Sequence, residues 1–310
     1  MNDMRHVAVL GAGLIGAGWA ALFGLCGRRV TVIDPHPQAA VRVAEAVAQA
    51  RPVLAALGLA PVATPAIGFV ASPSQLDDDV ALVQEALPED AALKRAAFEQ
   101  LEPFIAADTL IASSSSGCLP TPMQAGLAHP QRLFIAHPCN PPWLMPLVEL
   151  VPGRHTDAAV LPRAAAFYQQ LGRRTVQLAG EIRGHLVNRL QAALWREAVH
   201  LVASGAASVE QVDLAVTEGL GARWACCGPH MIFHLAGAER GMAGFLDNLG
   251  EAVEQWWADL GTPTLDEETR RLLIEGMQAA TGGREVASLA AARDQGVTHM
   301  LRAARALENE

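Results

Sequence analysis

The segment VAVLGAGLIG (7–16) constrains this chain more than any other. An apolar run ends in glycine, glycines follow at 11, 13 and 16, and apolar residues then continue at helical spacing. Such a run predicts a buried parallel strand that turns directly into a helix. Gly11 permits the tight turn, Gly13 lets the backbone approach a pyrophosphate, and Gly16 lets helix and strand pack closely. The helix N-terminus offers free N–H groups and a positive dipole end to the phosphates. A second strand, RVTVID (29–34), ends in Asp34, where a carboxylate can accept from ribose hydroxyls. That carboxylate repels a 2′-phosphate, and the following Pro35, His36 and Pro37 bring no arginine, so NAD is expected rather than NADP.

Further strands are expected at 67–70, 80–86, 109–114, 132–138, 147–151 and 175–178. Helical stretches at 13–27, 38–57, 90–102 and 158–171 fall between strands. This alternation predicts an α/β, Rossmann-type doubly wound, mainly parallel sheet. Past residue 180 the strand signal fades. Helical periods appear at 185–204, 208–218, 228–248, 250–259, 266–280 and 285–308, an all-α domain. The expected division is 1–182 and 183–310.

At 310 residues and 51% hydrophobic, the chain can bury two cores. Its 23 basic and 32 acidic residues leave a net charge of −9, which argues against nucleic acid as a partner. Residues 52–76 carry no charge, but prolines 52, 61, 65 and 73 break the run, so no membrane span is expected. The N-terminus MNDMRHVAVL reads as the start of a strand and not as a signal peptide. Five cysteines without CxxC or zinc spacing suggest a reducing compartment, the cytoplasm, and no metal site. Lys94 is the only lysine among 22 arginines, and the two cations are not interchangeable.

Among nicotinamide enzymes, a Tyr-x-x-x-Lys pair is excluded because the only tyrosine, Tyr168, is far from Lys94. A lysine on the first helix of the second domain is excluded too, since GHLVNRL places Asn188 there. A histidine base remains. His137 closes the strand RLFIAH, and strand carboxyl ends carry the ligands of open parallel sheets. Glu149 stands inside the apolar strand PLVELV and needs a partner there. A His137–Glu149 pair would satisfy the carboxylate and orient the base. The alternative is a satisfied core histidine and an edge-strand glutamate.

The block HPCNPPWLMPLVEL resembles the H-x-x-N-P…L-V-E block of the L-3-hydroxyacyl-CoA dehydrogenase superfamily, with GAGLIG, the serine run 113–116 and GHLVNRL in matching order along essentially the whole chain. The resemblance implies His137 as catalytic base, Glu149 as its partner, Ser116 bonded to the reacting oxygen, and Asn188 in the active site. It implies backbone contacts from Leu14 and Ile15 to the pyrophosphate, and NAD contacts from Glu89 and Lys94. It also implies a homodimer formed through the helical domain. The serine run leaves Ser115 as a fallback for Ser116, Gly117 replaces a polar residue, and His185 stands where the family usually has phenylalanine.

Coenzyme A would need cations after the second strand, and 41–76 offers only Arg42 and Arg51. A small hydroxy acid needs one carboxylate clamp, for which Arg223, after an expected helix end at Gly219 and Gly221, is the candidate; a surface ion pair is the alternative. TEGLGARWACCGP looks closest to the lambda-crystallin or L-gulonate 3-dehydrogenase branch, so a sugar acid is expected first. Carnitine comes second, with Trp143 and Trp224 as a cage for its ammonium or as core residues. Short acyl-CoA comes third. A non-catalytic crystallin-like protein would predict loss of the His, Glu, Ser and Asn set, and all four are present.

Overall fold

The computed structural model describes residues 4–307. The start of the segment read for targeting and the expected helix end at 308 lie outside them. By backbone contacts the chain divides into units of 1–189 and 190–310.

Among the described residues, the first unit holds eight strands: β1 (His6–Leu10), β2 (Arg29–Ile33), β3 (Ile67–Val70), β4 (Leu82–Glu85), β5 (Leu110–Ser113), β6 (Leu133–Pro138), β7 (Leu147–Pro152) and β8 (Arg174–Gln177). They form one sheet in the order β3-β2-β1-β4-β5-β6-β7-β8. All neighbours are parallel except β6 and β7. The chain runs outward from β1 to β3 and then crosses back to β4 on the other side of β1. That reversal opens a crevice at the carboxyl ends of β1 and β4, where doubly wound sheets bind their ligands.

The helices are α1 (Leu14–Leu25), α2 (Ala39–Ala56), α3 (Ala91–Leu101), the short α4 (Pro120–Gln124) and α5 (Val160–Gln170). Ten consecutive residues of α1, from Gly16 to Leu25, are buried. Trp19 stacks on Phe23 at 5.2 Å and lies 5.5 Å from the Tyr168 ring. Burial pushes the Tyr168 phenol well above its ordinary pKa. It donates to Gln84 Oε1 (2.5 Å), and Gln84 Nε2 donates to Ser114 Oγ (2.8 Å). A core cluster of β-strand and α3 residues includes Ala8, Val83, Phe98, Ile111 and Ile135.

The second unit takes up α6 (Val187–Ala203), which begins in the first, and adds α7 (Val209–Leu214), α8 (Ala222–Trp224), α9 (Pro229–Ala236), α10 (Gly241–Asp259), α11 (Glu267–Thr281) and α12 (Val286–Leu307). Three helix boundaries differ from the sequence expectation. The helix expected over 228–248 breaks at 237–240, where Ala238 and Gly241 take φ of +51° and +56° and a Cβ on Gly237 would collide with the Gly241 carbonyl. It then runs unbroken through Gly250, since a lone glycine costs a helix only about 1 kcal/mol. The end expected at Gly219 and Gly221 is instead a π-helical stretch, Ala215–Gly221, which continues into α8. Among the described residues, no helix is long and apolar enough to cross a membrane.

Candidate active site

The glycine loop leaves β1 in the crevice. Gly11 has φ +91°, and a Cβ there would come within 3.0 Å of the Ala86 carbonyl oxygen. A Cβ on Gly16 would collide with the Gly11 carbonyl. Gly13 faces open space instead, with nothing within 4 Å of an added Cβ. Among the described residues no side chain caps the N-terminus of α1, and Leu14 is exposed. Uncapped N–H groups with room before them fit the pyrophosphate of a dinucleotide.

Asp34 follows β2. Its Oδ2 accepts from the Ala12 N–H (2.7 Å) and its Oδ1 from the His36 N–H (2.8 Å). The carboxylate is thereby fixed beside the loop, with acceptor capacity left for ribose hydroxyls. Arg42 reaches the same place from α2. Its Nε donates to the Ala12 carbonyl (2.7 Å), and its Nη2 lies 3.6 Å from Asp34 Oδ2. Sequence reasoning sought a phosphate-holding arginine only in the residues just after Asp34. The first turns of the following helix were the signal it passed over.

His137 and Glu149 are direct register partners across β6 and β7. In an antiparallel pair, opposed residues point to one face, so the spacing read from sequence becomes a contact. His137 Nδ1 lies 2.7 Å from Glu149 Oε2. Glu149 is fully buried, and its Oε1 accepts from the N–H groups of Leu186 (2.7 Å) and Val187 (3.0 Å) at the start of α6. Burial works to raise the Glu149 pKa, but the bonds from His137, Val187 and Leu186 outweigh it and hold the carboxyl below its ordinary value. An ionised Glu149 accepts from the His137 Nδ1–H, which leaves Nε2 as the proton acceptor. The two backbone donors carry no side-chain signature, and sequence reasoning missed them.

The serine run follows β5. Ser114 Oγ accepts from Trp19 Nε1 (3.0 Å) and Gln84. Ser115 is buried and donates to Glu89 Oε1 (2.7 Å). Ser116 is exposed, its hydroxyl 3.4 Å from the same oxygen, and its carbonyl accepts from Asn188 Nδ2 (3.1 Å). A group that meets substrate must be reachable, which favours Ser116 over the fallback Ser115. Glu89 Oε1 also accepts from the N–H groups of Gly117 (2.6 Å) and Cys118 (3.1 Å). Burial works to raise the Glu89 pKa, but these bonds and Lys94 leave it below its ordinary value.

Lys94, for which the resemblance implies an NAD contact, is held by protein groups. Its side chain is 1% exposed, with Nζ donating to Glu85 Oε1 (2.6 Å) and the Leu87 carbonyl (3.0 Å) and lying 3.6 Å from Glu89 Oε2. The ammonium is enclosed by protein acceptors at the carboxyl end of β4. Glu85 is fully buried and also accepts from the Leu87 N–H and the Ser113 hydroxyl. Burial pushes its carboxyl up, and Lys94, Ser113 and Leu87 oppose the rise. An acid inside the apolar strand VALVQEA was the available signal, the same one that singled out Glu149.

Arg223 lies on α8 in the second unit, exposed, with Nε donating to the Gly219 carbonyl (3.2 Å). Trp224 beside it is 40% exposed. Trp143 is 6% exposed and is a core residue of the first unit, so it offers no open face for a cage.

A family model described as 3-hydroxyacyl-CoA dehydrogenase, NAD binding domain, matches residues 6–182, and the C-terminal domain model of the same name matches 184–263. The L-carnitine dehydrogenase of Streptomyces coelicolor is 44% identical over 303 residues, covering 97% of this chain and 95% of its own. That of Oceanobacillus iheyensis is 40% identical over 293 residues, covering 94% and 95%. A solved 5-formyl-3-hydroxy-2-methylpyridine 4-carboxylic acid 5-dehydrogenase, described as an NAD+-dependent dismutase, superposes with TM-score 0.83 at 26% identity, covering 97% of this chain and 99% of its own. FadB2 of M. tuberculosis gives 0.67 at 28% identity, covering 88% and 94%. Both L-carnitine dehydrogenases bear the name of the second-ranked substrate and not of the lambda-crystallin or L-gulonate branch. The chain belongs to the 3-hydroxyacyl-CoA dehydrogenase family and is an NAD-dependent dehydrogenase acting on a CH–OH group.

Proposed function

We propose that this enzyme oxidises the 3-hydroxyl of L-carnitine to the ketone. The observation that carries the substrate is the 44% identity, along nearly the whole chain, to a protein named L-carnitine dehydrogenase. Arg42 and Arg51 support a substrate without a polyphosphate handle. Arg42 is engaged with Ala12 and Asp34, and Arg51 donates to the carbonyls of Val62 (2.7 Å) and Ala63 (2.9 Å). Arg223 and Trp224 supply the two groups a zwitterionic hydroxy acid needs: a bidentate donor for carboxylate and an aromatic face for quaternary ammonium.

Bound NAD supplies the carbon that accepts the hydride. The substrate hydroxyl donates to His137 Nε2, which takes its proton as the C–H bond breaks. Glu149 keeps the imidazole in the required tautomer and stabilises the imidazolium that forms. Ser116 bonds the reacting oxygen, and Asn188 holds the serine's peptide. Glycines 11, 13 and 16, with the N–H groups of Leu14 and Ile15, cradle the pyrophosphate, and Asp34 meets the adenine ribose.

Two copies pair through the helical unit, a reading supported by the exposed Trp195, Trp256 and Trp257. Sedimentation should give twice the 32.7 kDa chain mass. The free thiols of all five cysteines support a reducing, cytoplasmic compartment. The substrate test is NADH formation from L-carnitine, L-gulonate, L-3-hydroxybutyrate and 3-hydroxybutyryl-CoA. L-carnitine should give the highest kcat/KM, and turnover of L-gulonate without L-carnitine would end this reading.

A further inference from the structure

His185 has no part in the mechanism so far. Its ring is fully buried, 5.3 Å from the His137 ring and tilted by 53°. Its backbone takes φ +50°, which is uncommon outside glycine though less so for histidine and asparagine. Nε2 lies 3.0 Å from the Ser115 carbonyl oxygen. That oxygen can only accept, so Nε2 carries the proton and Nδ1 the lone pair. Nδ1 has no partner among the described residues. Burial, with His137 adding to it, holds the imidazole below its ordinary pKa and therefore neutral. A buried unpaired acceptor and a left-handed backbone both cost free energy, and costs of this kind cluster where function demands them.

The four residues 185–188 hold both halves of the site. The N–H groups of Leu186 and Val187 bind Glu149 and so fix the base. The side chains of His185 and Asn188 take the consecutive carbonyls of Ser115 and Ser116. We propose that His185 is a positioning residue for Ser116: by holding the Ser115 carbonyl, it sets the serine hydroxyl at a fixed distance from the His137 base. An apolar ring would fill the same space beside His137 but leave the Ser115 carbonyl unheld. The inference rests on the His137–Ser116 site and not on the choice of substrate.

The test compares His185→Asn and His185→Gln in the full-length enzyme. Asparagine tolerates the left-handed backbone but is too short to reach the Ser115 carbonyl, whereas the glutamine amide extends as far as Nε2. His185→Asn should lower kcat about 10- to 100-fold, the scale of a reacting group displaced by an ångström, with NAD affinity and melting temperature unchanged. His185→Gln should recover most of that loss. Hydrogen exchange, measured without substrate, should show the Gly117 and Cys118 amides faster in His185→Asn and near normal in His185→Gln. This second readout stands whatever becomes of L-carnitine. The inference is overturned if His185→Asn keeps normal exchange and kcat, or if both variants lose stability, NAD affinity and kcat together.

Discussion

Glu89 turns one carboxylate oxygen toward the Lys94 ammonium, 3.6 Å away, and gathers Ser115, Ser116, Gly117 and Cys118 on the other. The lysine thus acts on the serine loop through an intervening carboxylate. Lys94→Met should leave the fully buried Glu85 without its counter-ion and cost about 3–5 kcal/mol, read by chemical unfolding. Adding Glu85→Gln should restore much of that loss, because removing both charges is cheaper than stranding one. A Lys94→Met protein of normal stability but weakened NAD affinity would instead put the ammonium on the nucleotide.

Arg42 stands behind Asp34 at the ribose end of the cofactor site. Asp34→Ser should remove the repulsion toward a 2′-phosphate, keep an acceptor for the Ala12 N–H, and release Arg42 toward the phosphate. A charge-assisted bond is worth about 1.5–3 kcal/mol, so the NAD preference should narrow by about 10- to 100-fold. Titration with both cofactors reads this. If Arg42→Ala added to Asp34→Ser leaves the gain intact, the arginine has no part in it.

Removing the base should cost about 10²–10⁴ in single-turnover hydride transfer for His137→Ala, with NAD binding retained. Glu149→Gln should lose part of that factor through a misoriented imidazole. The double variant should be little worse than His137→Ala, because the two residues act as a unit. Strictly additive losses would show that the proton leaves by another route.

Glu149 also gives the fold an acid-sensitive contribution. Its folded pKa lies below the ordinary value, so between the two the unfolded chain binds more protons and stability rises with pH. The contribution is complete above the ordinary carboxylate range and is lost as pH falls through the folded value. Melting temperatures from pH 3 to 7 should therefore fall less steeply toward acid in Glu149→Gln than in the native protein. Parallel curves would remove Glu149 as a source of the acid loss.

The strands β1 and β4 to β7 were legible because strands buried on both faces read as continuous apolar runs, and His137 and Glu149 were legible because an acid within such a run demands a partner. What escaped was chemistry carried by the backbone. Nothing in GHLVNRL announces that two of its amides bind Glu149 or that its histidine reaches the Ser115 carbonyl. Lys94 was visible as an oddity, but its direction was not, since that depended on the fold bringing Glu85, at the end of β4, within reach of its ammonium. In the helical unit, apolar period alone could not place the break at Gly237–Gly241, which the backbone torsions impose.

The antiparallel return of β6 into β7 has a consequence for how the two halves of the site come together. The base and its carboxylate are separated by only 12 positions, whereas the bonds from residues 185 and 188 to the serine loop span 70 and 72. Short loops close at little entropic cost, and long ones only once the intervening chain is in place. The hairpin can therefore bring His137 against Glu149 while much of the unit is still unfolded, and the serine arrives late. Mild denaturant should reverse that order, freeing the serine loop while the imidazole remains against its carboxylate.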